Sequence, residues 1–303
     1  MAVSEDQALI DSRRAGEGPR AHEVARVRVP ETGMAHDLRA VKVVWQRELI
    51  RFGRDRMRII TSLIQPVLFL FVLGTGLSQL TTGTTQGVNL RTFMFPGALA
   101  MTVLFTSVFS AGSIVWDREF GFLREMLVAP ISRASIVVGK ALGGATVATF
   151  QGVIILALAG LVGVPYSPTL ILAVLGELML LSFTLTAFGI MAAARIKSFQ
   201  AFMALTQMLL MPLFFLSGAL FPLGNLPSWL RLLTRVNPLT YAVDPIRRSV
   251  FAHLDVSAHA REVLAPGLTW GGWRVPIYLE LVVVAAFGIG MLMIGVAEFR
   301  RAE

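Results

Sequence analysis

The sequence contains no cysteine, so disulfides and thiolate metal sites are excluded. It is also poor in charge: 15% of its 303 residues are Asp, Glu, Lys or Arg, against about 25% in an ordinary soluble domain. Its four histidines, His22, His36, His253 and His259, do not pair with acids at metal-ligand spacing. A membrane-embedded enzyme that modifies lipid would need paired carboxylates, a histidine cluster or an activated nucleophile. That pattern is missing, which sets this rival class behind the one argued below. There is no Gly-x-x-x-x-Gly-Lys-Ser/Thr phosphate loop, and the Gly139–Lys140 pair stands in a different context. The charged, polar first few dozen residues show no signal-peptide pattern.

What the chain has in quantity is apolar residues, 55% of the total. A helix needs about 20 of them in a row, at 1.5 Å rise each, to cross roughly 30 Å of hydrocarbon. Runs of that kind predict an all-α membrane protein with six transmembrane helices, at about 59–79, 93–115, 135–163, 168–193, 199–221 and 276–297. Pro66 and Pro212 lie inside the first and fifth spans, and Pro66 predicts a kink. Residues 1–34 read as a disordered cytoplasmic tail, and 59–300 as the six-span domain. Between them, residues 35–58 read as an amphipathic helix lying in the membrane interface. Its apolar stripe is Leu38, Val41, Trp45, Leu49 and Phe52, with Arg47, Arg51, Arg54 and Arg58 opposite. The formal charge is +8. Its clustering in the N-terminal segment, the 116–133 and 194–198 connectors and the C-terminal tail predicts that both termini are cytoplasmic. The same reading turns the charge toward anionic lipid and away from nucleic acid.

Two interruptions of the spans carry more information than the spans. The first is residues 117–133, where Asp117 to Leu127 predicts about three helical turns before Pro130. Asp117, Arg118, Arg124 and Glu125 would then share one face, with Phe120, Phe122, Leu123, Met126 and Leu127 on the other. Glu119 would fall in the apolar face, where a carboxylate needs a partner. Such a helix suits either a groove on a partner protein or the lipid surface. The second is residues 211–251, broken by Pro222, Pro227, Pro238 and Pro245 into pieces too short to span. Trp229, Leu230, Leu232, Leu239 and Tyr241 make these pieces apolar, which predicts short re-entrant or interfacial helices before the last span.

Together these segments resemble the permease subunit of type-2 ABC transporters, in the daunorubicin-resistance group of multidrug exporters. The matching residues near the first are Arg118, Glu119, Gly121, Leu123, Pro130, Ser132, Arg133, Gly139 and Lys140. In the second they are Ser217, Gly218, Phe221, Pro222, Leu226, Pro227, Pro238, Leu239, Thr240, Tyr241 and Arg247. Phe122 departs from the family, which often has Thr there. The resemblance covers about 36–300 and implies a transport subunit of the bacterial plasma membrane. On it, Asp117 to Leu127, with Asp117, Arg118, Glu119, Phe120, Gly121, Phe122, Leu123, Arg124 and Glu125 at its centre, is the coupling helix seated in a cleft on a separate ATPase. No cofactor is expected on this chain, since ATP and Mg belong to the partner. Closure of two ATPase subunits would rock two permease copies, in a homodimer or heterodimer, between inward- and outward-open states. Drug efflux with antibiotic resistance is one implied role; export of polysaccharide or lipid-linked glycan is another.

Polar groups inside the spans are candidates for a substrate path. Glu177 lies about nine residues into the fourth span, where a charge costs at least about 2.5 kcal/mol. It either attracts a cationic substrate or sits hydrogen-bonded at a helix interface, with Gln151 or Gln207 as its expected partner. Gln65, Gln151 and Gln207 read as candidates for the path or as interhelical glue. Gly139 and Gly143 predict close helix packing. Met203, Met208 and Met211 could form an adaptable surface or face lipid. Trp229, Trp270 and Trp273 read as interface anchors.

Overall fold

A computed structural model of the chain describes residues 33–78, 88–123, 126, 131–224 and 226–302. Almost all of the tail expected over 1–34 lies outside them, as do Arg124 and Glu125. The first described helix, α1 (Met34–Arg54), ends sooner than the helix expected over 35–58. Asp55 is the reason: its carboxylate accepts the N–H of Arg58 at 3.0 Å and caps the following helix. That helix, α2 (Arg56–Gly76), is the first span. Pro66 lies within it and has no N–H to donate, and the winding loosens to a π turn at Phe69–Leu73.

The apolar stripe foreseen on α1 borders the face that it buries most: Val41, Trp45, Leu49 and Phe52 are half-buried, and Trp45 and Phe52 meet Thr146 and Phe150 of α4 (Arg133–Leu156). Ala40, Val44 and Glu48 are buried, whereas Leu38 is 70% exposed. The groove that α1 meets decides this. It lies on α4, where Gly139 and Gly143 leave room for Val44 and Glu48. A Cβ at Gly139 would lie 2.7 Å from the Cβ of Val44, and one at Gly143 would lie 2.7 Å from the Cβ of Glu48. The glycine pair therefore does pack a helix closely, and its partner is α1.

The second span, α3 (Leu90–Glu119), begins at the Asn89 cap and continues past a break at Gly112 to Glu119. It is the most enclosed of the long helices, with 89% of its apolar window buried. Around it pack α4 and α5 (Pro168–Ala193). The third span was expected to reach 163, but α4 stops at Leu156, and a tight turn through Ala159–Val162 ends at left-handed Gly163 (φ 80°). The start of α5 is as foreseen: Pro168 occupies the first helical position, where its missing N–H costs nothing.

The next helix, α6 (Phe199–Phe215), has 17 residues and a length of about 25 Å. It ends short of the predicted 221 because the chain turns at Gly218 (φ 76°) and folds back on α3. Met208 and Met211 lie exposed on it. Three short helices follow: α7 (Ser228–Val236), α8 (Thr240–Ala252) and α9 (Ala258–Leu264). A small antiparallel hairpin, β1 (Thr269–Trp270) and β2 (Trp273–Arg274), was not foreseen; it turns on Gly271 and Gly272, both at positive φ. The last helix, α10 (Ile277–Ala302), packs on α5. Among the described residues, five helices (α2, α3, α4, α5 and α10) are long and apolar enough to cross a membrane. The apolar windows of α2 and α10 are only 17% and 22% buried, so their outward faces meet something other than this chain.

Candidate functional site

The helix expected over 117–127 is interrupted at 120–121, and beyond that Phe122, Leu123 and Met126 are helical again while Arg124, Glu125 and Leu127 lie outside the described residues. Asp117, Arg118 and Glu119 are the last turn of α3, and the chain then bends at Phe120 and Gly121 (φ 83°). Glycine is the residue that takes this left-handed backbone at no steric cost. The bend separates 117–119 from Phe122 and Leu123, and of the four charges foreseen on one helical face only Asp117 and Arg118 lie among the described residues.

Asp117 points inward and is 1% exposed. Lys140, from the second turn of α4, donates to Asp117 Oδ2 at 2.6 Å, to Glu48 Oε1 at 2.8 Å and to Ser113 Oγ at 3.1 Å. An ammonium has three protons, and all three are used. Arg47 and Arg51 approach Asp117 Oδ1 at 3.4 and 3.7 Å from the half-exposed side. One buried cation thus ties together α1, the end of α3 and the start of α4. The sequence marked Lys140 as part of the family resemblance and as no part of a phosphate loop, but gave it no partner. The signal that locates it is its place beside Gly139, which admits α1 to the same turn.

Arg118 and Glu119 grip the next connector. Arg118 donates to the carbonyls of Ala193 at 3.3 Å, Ala194 at 3.1 Å and Ile196 at 2.7 Å, at the C-terminal end of α5. Glu119 Oε2 accepts the N–H of Phe199 at 2.8 Å, at the first residue of α6. Each charge has the sign that the adjoining helix end favours. The partner that Glu119 needed is therefore a helix N-terminus. Phe120 and Phe122 remain 58% and 48% exposed at the bend, and Leu123 is buried. Trp116 packs at a tilt on Phe120 and edge-on against Phe199, with ring centroids 4.7 and 5.1 Å away.

At the opposite end, Arg247 organises the broken segment. It is 1% exposed, donates to the carbonyls of Ala219 at 3.0 Å and Phe221 at 3.2 Å, and lies 4.6 Å over the ring of Phe93. Carbonyls freed where α6 ends are taken by Asn237, on Leu213 at 2.7 Å, and Thr240, on Leu216 at 3.3 Å. Tyr241 is buried and donates to the carbonyl of Arg235 at 2.8 Å. Pro222 lies in the fold-back, Pro227 caps α7 and Pro238 precedes α8, whereas Pro245, expected to break the chain, lies within α8. Trp229 is 65% exposed on α7. Side chains of the protein thus take up several carbonyls that the irregular backbone here leaves free.

The candidate path residues separate. Glu177 is buried and accepts a hydrogen bond from Ser249 Oγ of α8 at 2.7 Å, so neither Gln151 nor Gln207 is its partner. Gln151 instead donates to Ser62 Oγ at 2.6 Å and accepts from Thr106, joining α2, α3 and α4 as interhelical glue. Gln65 and Gln207 are exposed on α2 and α6.

A family model described as "ABC-2 type transporter" matches residues 39–251. The protein named "Putative transport permease ycf38" of Cyanophora paradoxa is 34% identical over 209 residues, 68% of this chain and 72% of that one. "Nodulation protein J" of Rhizobium leguminosarum bv. viciae is 30% identical over 67% of this chain and 79% of its own length. "Probable multidrug ABC transporter permease YbhR" of Escherichia coli (strain K12) is 29% identical over 56% of this chain and 47% of its own length.

Proposed function

The chain belongs to the ABC-2 type transporter family, and from that premise we propose that it is the transmembrane subunit of an ATP-driven exporter. It moves a hydrophobic or amphipathic compound, drug-like or lipid-like, out across the bacterial plasma membrane by alternating access. The multidrug label of the Escherichia coli relative supports that cargo class. The basic end, with α1 and both termini, is cytoplasmic, and α6 completes a set of six spans despite its 17 residues. Two copies, or this chain and a homologue, form the working pair through the poorly buried faces of α2 and α10. The substrate path runs along α2 and α6, where Gln65 and Gln207 stand exposed on apolar helices.

The observation that carries this reading is the grip of Arg118 and Glu119 on the α5–α6 connector. A push on the bend at Phe120–Phe122 is delivered directly to the end of one span and the start of the next. Lys140 delivers the same push to α1 and α4. The exposed rings of Phe120 and Phe122 are the contact for a separate ATPase subunit, which holds ATP and Mg. On this reading the coupling element takes in the end of α3, the bend at Phe120–Gly121 and the helical residues Phe122 and Leu123 beyond it. The test is co-purification with an ATPase encoded beside the chain, then substrate-stimulated ATP hydrolysis in liposomes. Phe122→Glu should abolish co-purification while leaving the chain monodisperse; retention of the complex would sink the assignment.

A further inference from the structure

A cavity of about 400 Å³ opens beside the start of α2. Arg51 and Arg58 supply its charge, and Phe109, Trp116, Phe199 and Met203 supply its apolar wall. A second hollow of about 240 Å³ shares Arg51 and Trp116 with it and adds Arg47 and Phe122. The two make one trough with cations along its mouth and rings along its side.

The charges around this trough do not balance. Lys140, Arg47, Arg51 and Arg58 stand against Glu48, Asp117 and Asp55, which leaves one positive charge. Glu48 and Asp117 are engaged by Lys140. Asp55 is engaged as the cap of α2, accepting the backbone N–H of Arg58 at 3.0 Å. The guanidinium of Arg58 has no carboxylate within salt-bridge distance among the described residues, although the residue is only partly exposed and sits in the first turn of a span. A guanidinium so placed matches a phosphate oxygen pair in shape and charge.

We propose that the trough binds the phosphate of an anionic amphiphile, with Arg58 and Arg51 on the phosphate and the hydrocarbon laid against Phe199, Met203 and the exposed faces of α2 and α6. A phosphodiester carries the single negative charge that the trough lacks, and a ligand without a tail leaves the apolar wall wet. The site rests on the membrane placement proposed above, and its test requires no ATPase, so the two fail separately.

The measurement is the Trp116-dependent part of the fluorescence, taken as wild type minus Trp116→Phe, in detergent-solubilised full chain. The probes are dioctanoyl phosphatidylglycerol, dioctanoyl phosphatidylcholine and glycerol 3-phosphate. The expected result is roughly tenfold tighter binding of the phosphatidylglycerol than of the zwitterion, whose choline cation cancels the net charge of the same phosphodiester beside Arg51 and Arg58. Arg58→Gln should remove the preference, and Arg58→Lys should keep most of it. Met203→Glu, which sets a carboxylate in the same cavity, should remove it too and covers the case in which Arg58→Gln fails to fold. Equal binding of both lipids, or a preference that survives Arg58→Gln and Met203→Glu, overturns the site. Displacement by glycerol 3-phosphate at the lipid's own concentration overturns the amphiphile. With the ATPase in liposomes, stimulation by phosphatidylglycerol that Arg58→Gln abolishes marks the lipid as cargo; binding without stimulation marks a resident lipid.

Discussion

Replacing Lys140 with Met keeps the volume of the side chain and removes the one cation that both buried carboxylates share. Lys140, Glu48 and Asp117 are 3%, 6% and 1% exposed. Removing one partner of a buried ion pair costs about 3–5 kcal/mol, because the remaining charge is stranded. Here the damage is uneven. Asp117 keeps Arg47 and Arg51 at 3.4 and 3.7 Å, but both arginines are more than a third exposed and screened by water. Glu48 keeps no ion-pair partner among the described residues. The loss should therefore sit near the lower end, about 3 kcal/mol, and lower the apparent Tm by roughly 6 °C. The assay is thermal unfolding of the detergent-solubilised chain, run on Lys140→Met, Glu48→Gln and the double variant. Since the two residues touch, the double variant should lose less than the sum of the singles, by about 2 kcal/mol. An additive double variant, or an unchanged Tm for Lys140→Met, would refute the claim that this cation holds α1 to the bundle.

Arg118→Ala frees three carbonyls at the end of α5 and should cost about 2–3 kcal/mol; in liposomes it should also uncouple ATP hydrolysis from transport, and tight coupling in that variant would count against the grip. Gly143→Val drives a side chain into Glu48, which already lies 2.7 Å from where a Cβ would sit. Because the chain has no cysteine, Ala40→Cys in that background should gain maleimide labelling as α1 lifts, whereas Ala40→Cys alone should label slowly. Arg247→Lys keeps the charge but loses the fork that spans Ala219 and Phe221; a destabilisation of about 2 kcal/mol is expected in the same unfolding assay. Glu177→Gln should leave transport of a cationic dye within about twofold, since the carboxylate faces Ser249 and an amide offers Ser249 the same acceptor.

The length and composition of apolar runs are local properties, and they sufficed for the helical class, for α5 almost to the residue, and for the two interruptions that matter. Gly139 and Gly143 also announced a close packing, although not the helix that fills it. The sequence placed Glu119 in an apolar surface and demanded a partner for it, but that partner is an N–H 80 residues away. Lys140 finds Glu48 across 92 residues, and no periodicity along the chain encodes that distance. The same holds for the face that α1 buries. Its own stripe of large apolar residues is half-buried at the edge of the contact, and two missing side chains on α4 drew Val44 and Glu48 deepest. Helix ends moved for a related reason: α6 stops where Gly218 turns the chain back toward α3, and α3 runs on until Gly121 bends it. What the residues decided alone is which segments the membrane accepts. Which charges meet was decided only when close packing brought distant groups into places where water could not serve as their partner.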